Sequence, residues 1–377
     1  QGVWSPSAIN NRAGDCKEGH FNQQSSFFFR NALYQCLYHL IGVSDLVIVL
    51  EWRMSDDPFT VLLYYHYVDI EQPQQLCDWH IEVCNRLELK GRVRVSPEGI
   101  NGTLGGTYSA ISSYISEVET IESLKPDTID WKLSGAVDRY NLESQQFKSL
   151  SVKCTKEVVS LDLTEKERQD LIEVGAGDHL SPEEFHHQID LHRKSHSDRL
   201  VLVDVRNVYE TEIGRFDCES EDGSKIPVLD PVTRKFSDFK QFVDSNKDDL
   251  KDKKVLMYCT GGVRCERASA YMKLKGMDNV YQLKGGIHRY QEAFPDGGFF
   301  KGKNFVYDPR IAVPYKNNDE IVGRCRLCRE LYDDYAPQVR CRKCRMLQLV
   351  CDDCRANNEE FLADGVLCPT CNAERNI

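Results

Sequence analysis

The 377 residues carry 41% hydrophobic side chains, enough for two or three domains with their own cores, which excludes a single small module. A formal net charge of -11 excludes a global attraction to polyanions, so any nucleic-acid contact must come from local basic surface. Sixteen cysteines, half of them between Cys325 and Cys371, point to metal ligation in a reducing compartment, with the cytoplasm the expected location.

Position 1 is Gln, which makes Met54 a candidate start. Residues 1–53, rich in Asn, Ser and Gln, read either as a poorly ordered lead-in or as a targeting peptide in which Arg12, Lys17 and Arg30 meet few acids. Phe27 to Leu50 is rather apolar, but Arg30, His39 and Asp45 interrupt it, so no membrane span is expected.

The first compact unit is expected over residues 60–155. Val61 to Val68 is aromatic and β-branched and reads as a strand. Pro73 then suits a first helical turn, with Leu76, Trp79 or His80, Val83 and Leu87 at helical spacing. Gly91 to Val95 alternates as a half-buried strand, Asn101-Gly102 is a tight-turn signal, and Thr103-Leu104 begins the return. With Tyr108 to Val118 as a second helix and Phe147 to Lys153 as a last strand, the order matches a ferredoxin-like split unit. The glycine-rich Glu98 to Gly106, beside Arg92 and Arg94, is either an ordinary hairpin, the reading that spacing favours, or a phosphate contact.

Lys156 to Gly177 reads as a linker into a second unit over residues 176–300. Ser181-Pro182-Glu183-Glu184 caps a helix from Phe185 to His192, whose His186, His187 and His192 suit a solvated face better than a metal site. Leu200 to Arg206 is a buried strand ending in Asp204 and Arg206, an ion pair at the sheet's ligand-binding end, with Glu210 and Glu212 in a helical turn beyond. Asp217 to Lys225 is an expected surface loop, Phe239 to Leu250 a helix, and Val280 to Leu283 a strand. Lys284 and His288 follow near its carboxyl end, where they face the same mouth or serve structure.

The chemistry is expected at Val255 to Arg267. Val255 to Tyr258 reads as a buried parallel strand that delivers Cys259 to its carboxyl end. Gly261 and Gly262 allow Thr260 to Val263 to turn their N-H groups inward as an anion nest, and Arg264 with the following helix dipole adds positive charge. Such surroundings favour thiolate, so Cys259 is the candidate nucleophile and Arg264 its electrostatic partner. Cys265 either resolves a species on Cys259 or packs the helix.

Tyr258-Cys259-Thr260-Gly261-Gly262-Val263-Arg264 resembles the active-site loop of rhodaneses, and Val203-Asp204-Val205-Arg206 resembles their second landmark. In that family the cysteine carries a persulfide. Cysteine phosphatases need the arginine one position later, and here that position is Cys265, which argues against phosphatase. Glu98-Gly99-Ile100-Asn101-Gly102-Thr103, Cys259 to Arg267 and Lys303-Asn304-Phe305-Val306-Tyr307-Asp308 resemble the family that hydroxylates the wobble uridine of tRNA, over roughly residue 60 to the C-terminus. That resemblance implies an enzyme converting a uridine to 5-hydroxyuridine with oxygen, acting on the anticodon loop.

The C-terminal extension, residues 301–377, holds four Cys-x-x-Cys pairs: Cys325/Cys328, Cys341/Cys344, Cys351/Cys354 and Cys368/Cys371. Eight thiolates at this spacing imply two structural zinc ions, with either adjacent or alternating pairs sharing an ion, and no organic cofactor motif is visible. Between Arg324 and Arg345, seven basic residues oppose Glu330, Asp333 and Asp334, a candidate RNA-backbone patch beside Tyr332 or Tyr335 as a base-stacking ring. The expected fold class is α/β multidomain: a ferredoxin-like unit, a rhodanese-like doubly wound parallel sheet and a zinc-binding module. The alternatives to tRNA hydroxylation are a thiosulfate or persulfide sulfurtransferase using the same Cys259, and a zinc-dependent interaction protein on a rhodanese scaffold.

Overall fold

The computed structural model describes residues 57–377 apart from 125–128, 139–140, 196–198, 220–222, 224–225, 359–365 and 374–377. The readings of residues 1–53 and of Met54 fall outside the described residues. From Phe59 onward the chain clusters as one compact unit. No helix among the described residues is long and apolar enough to cross a membrane.

The first layer is β1 (Phe59–Tyr67), α1 (Pro73–Arg86), β2 (Lys90–Ser96), β3 (Gly99–Thr107), α2 (Tyr108–Val118), β4 (Lys132–Gly135) and β5 (Leu150–Cys154). Its sheet runs β4-β1-β3-β2-β5. Alternation divides the faces: Leu62, Tyr64, Val93, Val95, Ile100 and Leu104 pack on α1 and α2, whereas Leu63, Tyr65, Arg92, Arg94, Asn101 and Thr103 point the other way.

Two expectations for this sheet need correction. Asn101-Gly102 lies inside β3, with Gly102 opposite Tyr64 and Val93, and the turn falls at Pro97-Glu98. Pairing on both flanks outweighs the local turn preference, and a Cβ at residue 102 would lie 2.4 Å from the Tyr64 ring, so this glycine serves packing. The strand that completes the split unit is the short polar β4, antiparallel to β1, while β5 is a fifth strand parallel to β2.

The expected linker is structured. Its α3 (Glu165–Val174) starts at a Thr164/Glu167 capping box, and Leu161 and Leu171 enter the next core. Then follow β6 (Asp178–Leu180), α4 (Pro182–Ser195), β7 (Leu200–Asp204), α5 (Val208–Thr211), β8 (Gly214–Phe216), β9 (Val228–Leu229), α6 (Phe239–Leu250), β10 (Lys254–Tyr258), α7 (Val263–Leu274), β11 (Val280–Leu283) and α8 (Gly286–Ala293). The second sheet, β6-β11-β10-β7-β9, is parallel throughout. Cys218, from the expected surface loop, is buried in the core around Phe216 and Tyr290 instead. His186 also packs, stacked on Phe294 and Phe299 with its Nδ1 2.7 Å from the Tyr290 hydroxyl.

The open face of the first sheet is turned onto the loop after β10. Arg267 of α7 donates to Glu98 at 2.8 Å with both side chains buried, so the Pro97-Glu98 turn is a strut between layers. Tyr65 donates to Glu266, Tyr67 to the Val263 carbonyl, and Arg289 to Asp130. The chain ends in β12 (Phe300–Gly302), β13 (Asn304–Phe305), β14 (Ala312–Val313) and a cysteine-rich block with α9 (Asp352–Ala356) and α10 (Pro369–Ala373).

Candidate functional site

Cys259 follows β10, whose Val255 to Tyr258 are fully buried between β7 and β11, so the strand end is fixed from both sides. Gly262, the N-cap of α7, takes φ 101°, a left-handed conformation that costs glycine little. Its N-H donates to the Cys259 sulfur at 3.1 Å. Burial pushes the thiol up, but hydrogen bonds from the Cys265 thiol and from the Arg264 and Cys265 amides, with the Arg264 charge, outweigh it and bring the pKa down to about 5. Cys265 moves the opposite way, because burial, the hydrogen bond its thiol gives Cys259 and the Cys259 charge all disfavour a second thiolate there. A Cys265→Ala variant loses that thiol donor, and the pH midpoint of Cys259 alkylation is expected to rise from about 5. Iodoacetamide labelling rates between pH 4 and 9 measure it.

Arg264 is not a free cation. Its guanidinium makes two 2.7 Å bonds to the Glu210 carboxylate, and both groups are buried. Burial pushes Glu210 up, yet Arg264, Arg206 and the Asn207 amide hold its carboxyl below the usual range. Thr260 also donates to Glu210, at 3.3 Å. Asp204 and Arg206 form a bidentate pair at 2.8 and 2.7 Å, and Arg206 donates on to the Gly214 carbonyl, fixing the turn that carries α5 and Glu210. Sequence reasoning placed Glu210 in its helical turn but missed its pairing with Arg264, because the two lie 54 residues apart in the chain. Glu210→Ala leaves a buried, uncompensated guanidinium, and we expect a loss of about 3–5 kcal/mol, measured by urea unfolding.

A cavity of about 610 Å³ opens above Cys259, between the rhodanese-like loop and the open face of the first sheet. Arg92, Arg94 and Lys153 line it from the sheet, and Arg234, Lys235, His288 and Tyr307 from the other side. Local basic surface thus exists despite the acidic chain. His288 lines the cavity, and Lys284 is exposed outside its lining.

The cysteine block pairs in alternation: Cys325, Cys328, Cys351 and Cys354 form one cluster, and Cys341, Cys344, Cys368 and Cys371 the other, all sulfurs of each within 4.8 Å. Cys328 and Cys351 stand 3.6 Å apart, and Cys344 and Cys368 3.7 Å. A tetrahedron with metal-sulfur bonds of about 2.3 Å has edges of about 3.8 Å, so four-thiolate metal ligation fits. The two clusters can hold metal ions. They are built on a repeat that was legible but not read: Arg324-Cys325-Arg326-Leu327-Cys328-Arg329-Glu330-Leu331 matches Arg340-Cys341-Arg342-Lys343-Cys344-Arg345-Met346-Leu347. In each copy the first arginine donates, at 3.1 Å, to the carbonyl of the arginine five positions on. Two of the seven expected RNA-facing cations therefore act within the knuckles. Tyr335 is buried, its hydroxyl donating to Glu212 and the Tyr209 carbonyl, which removes it as a stacking ring. Among the described residues His186, His187 and His192 join no metal-holding group.

Three family descriptions match in series: a UPF0176 acylphosphatase-like domain over residues 59–158, a rhodanese-like domain over 187–293 and a rhodanase C-terminal region over 301–373. Rhodanese-like domain-containing protein 6 of Arabidopsis thaliana is 42% identical over 82% of this chain, which spans 53% of that protein. A protein of Corynebacterium jeikeium named tRNA uridine(34) hydroxylase is 35% identical over 83% of this chain and 95% of its own length. A protein of the same name from Pseudarthrobacter chlorophenolicus is 35% identical over 81% of this chain and 97% of its own.

Proposed function

The chain belongs to the tRNA uridine(34) hydroxylase family, and from that premise we propose that it converts the wobble uridine of tRNA to 5-hydroxyuridine, with Cys259 as the reacting thiolate. The observation that carries this reading is the Cys259 thiolate at the base of a cavity walled by Arg92, Arg94 and Lys153. Those cations suit a phosphodiester backbone, whereas a small sulfur donor needs no such wall. Bases of an anticodon loop are already unpaired, so one can enter without a duplex opening.

Uridine and dioxygen give 5-hydroxyuridine and water only with two added electrons and two protons. Cys259 and Cys265 supply the two electrons in this reading, closing a disulfide that an external thiol reopens, with one proton coming from the Cys265 thiol and the other from solvent. Asp204, Arg206 and Glu210 act as positioning residues for the loop, and the Gly262, Arg264 and Cys265 amides, at and just beyond the end of the expected Thr260 to Val263 nest, meet the charged sulfur. The two cysteine clusters hold zinc, and the enzyme works in the cytoplasm. Mass spectrometry of nucleosides from cells lacking the protein tests the function. Return of 5-hydroxyuridine with the wild type but not with Cys259→Ser supports it, and unchanged tRNA overturns it in favour of sulfur transfer.

A further inference from the structure

Tyr307 combines two properties that seldom coincide in one side chain. It keeps 51% of its surface exposed, in the lining of the Cys259 cavity. Its hydroxyl is nevertheless fixed by four groups: it donates to Glu210 at 2.7 Å, shares a hydrogen bond with the Tyr209 hydroxyl at 3.0 Å, and receives Asn207 Nδ2 at 3.1 Å and Arg264 at 3.4 Å. The Arg264 guanidinium lies 5.5 Å from the ring centroid, and Phe305 meets the ring edge-on at 5.5 Å. The exposed area is therefore ring surface turned into the cavity, on a side chain that cannot swing away.

An exposed aromatic face is apolar surface kept in water, and at the mouth of a cavity it gains most by stacking a flat ligand. The ring is tied to Glu210 and Arg264, the pair that also fixes the Cys259 loop, so a base resting on it is held at a set distance from the nucleophile. We propose that Tyr307 is the stacking platform for the reacting base, a pyrimidine of a single-stranded RNA loop. The assignment rests on the RNA-modifying reading above and gives it a base subsite.

The test separates the two. Cys259→Ser protein, which cannot turn over, is titrated with a fluorescent anticodon stem-loop RNA, alone and combined with Tyr307→Leu or Tyr307→Phe. Stacking on one aromatic ring is worth enough that loss of the ring is expected to weaken binding about 10- to 100-fold. Tyr307→Phe, which keeps the ring, is expected to stay within about threefold of the parent. In the otherwise wild-type protein, Tyr307→Leu and Tyr307→Phe both lose the hydroxyl that meets Glu210 and Arg264, so their Cys259 alkylation rates should agree within about twofold while their RNA affinities differ. Equal affinity of the Leu and parent proteins overturns the platform, as does a Leu variant whose Cys259 reactivity falls in proportion to its binding, the mark of a structural role. A parent that binds the loop while the wild-type protein forms no 5-hydroxyuridine on it leaves the platform standing and overturns the reaction. A parent that does not bind the RNA overturns both.

Discussion

Cys259→Ser is expected to lower 5-hydroxyuridine formation on the order of 10⁴-fold or more, the scale of loss when an enzyme's nucleophile is removed. Serine is slightly smaller than cysteine and its hydroxyl can still accept from the Gly262 N-H, so folding should survive and the loss should be in turnover. The reason lies in acidity: the Cys259 thiol ionises near pH 5 in its nest, while an alcohol at the same place stays protonated across the working range. The wild type should accordingly keep constant reactivity above about pH 6 and lose it as the pH falls through 5. Product formation at saturating tRNA, measured by nucleoside mass spectrometry, and a pH profile of alkylation check the two halves. Turnover within tenfold of wild type would remove Cys259 from the reaction.

Metal removal is expected to have the second large effect. The clusters alternate along the chain, with Cys341 and Cys344 of one falling between the Cys325/Cys328 and Cys351/Cys354 pairs of the other, so neither folds as an independent segment. A four-thiolate zinc site contributes about 10–16 kcal/mol of binding free energy that is also folding energy, more than the whole margin of a typical domain. Purified protein should contain two zinc ions per chain by elemental analysis, and Cys325→Ser or Cys341→Ser should each release metal and lower the melting temperature sharply. The damage should spread beyond the knuckles. Val208 and Tyr209 pack against the second cluster, and Arg234 of the cavity lining donates to the Cys371 sulfur at 3.5 Å, so RNA binding should weaken as well. Full stability after chelation would overturn a structural role for the metal.

The stretch from Val255 to Arg267 announced itself in the sequence because its parts are contiguous: apolar strand, glycine turn and helix start are local preferences that tertiary packing only reinforced. The four Cys-x-x-Cys pairs were legible for the same reason, since two-residue spacing is a local geometric demand of one metal ion. Periodicity also placed α1, and α2, α6 and β11 fall where the sequence reads as helix or strand.

What tertiary structure alone decided involves partners far apart in the chain. Asn101-Gly102 turns in isolation, but pairing with β1 and β2 draws it into a central strand and leaves the turn to Pro97-Glu98. Lys132–Gly135 has too little apolar content to read as a strand, and becomes one because β1 offers it a partner edge. The alternating assignment of the cysteine pairs, the Glu210 carboxylate on Arg264, and the conversion of Tyr307 into a fixed ring over the cavity rest on separations that no local pattern encodes. Residue types and spacing determined that a cysteine would end a buried strand inside a glycine loop and that eight cysteines would gather into four-residue clusters. Packing determined what surrounds them, because burial and ion pairing are properties of the folded neighbourhood and not of the segment.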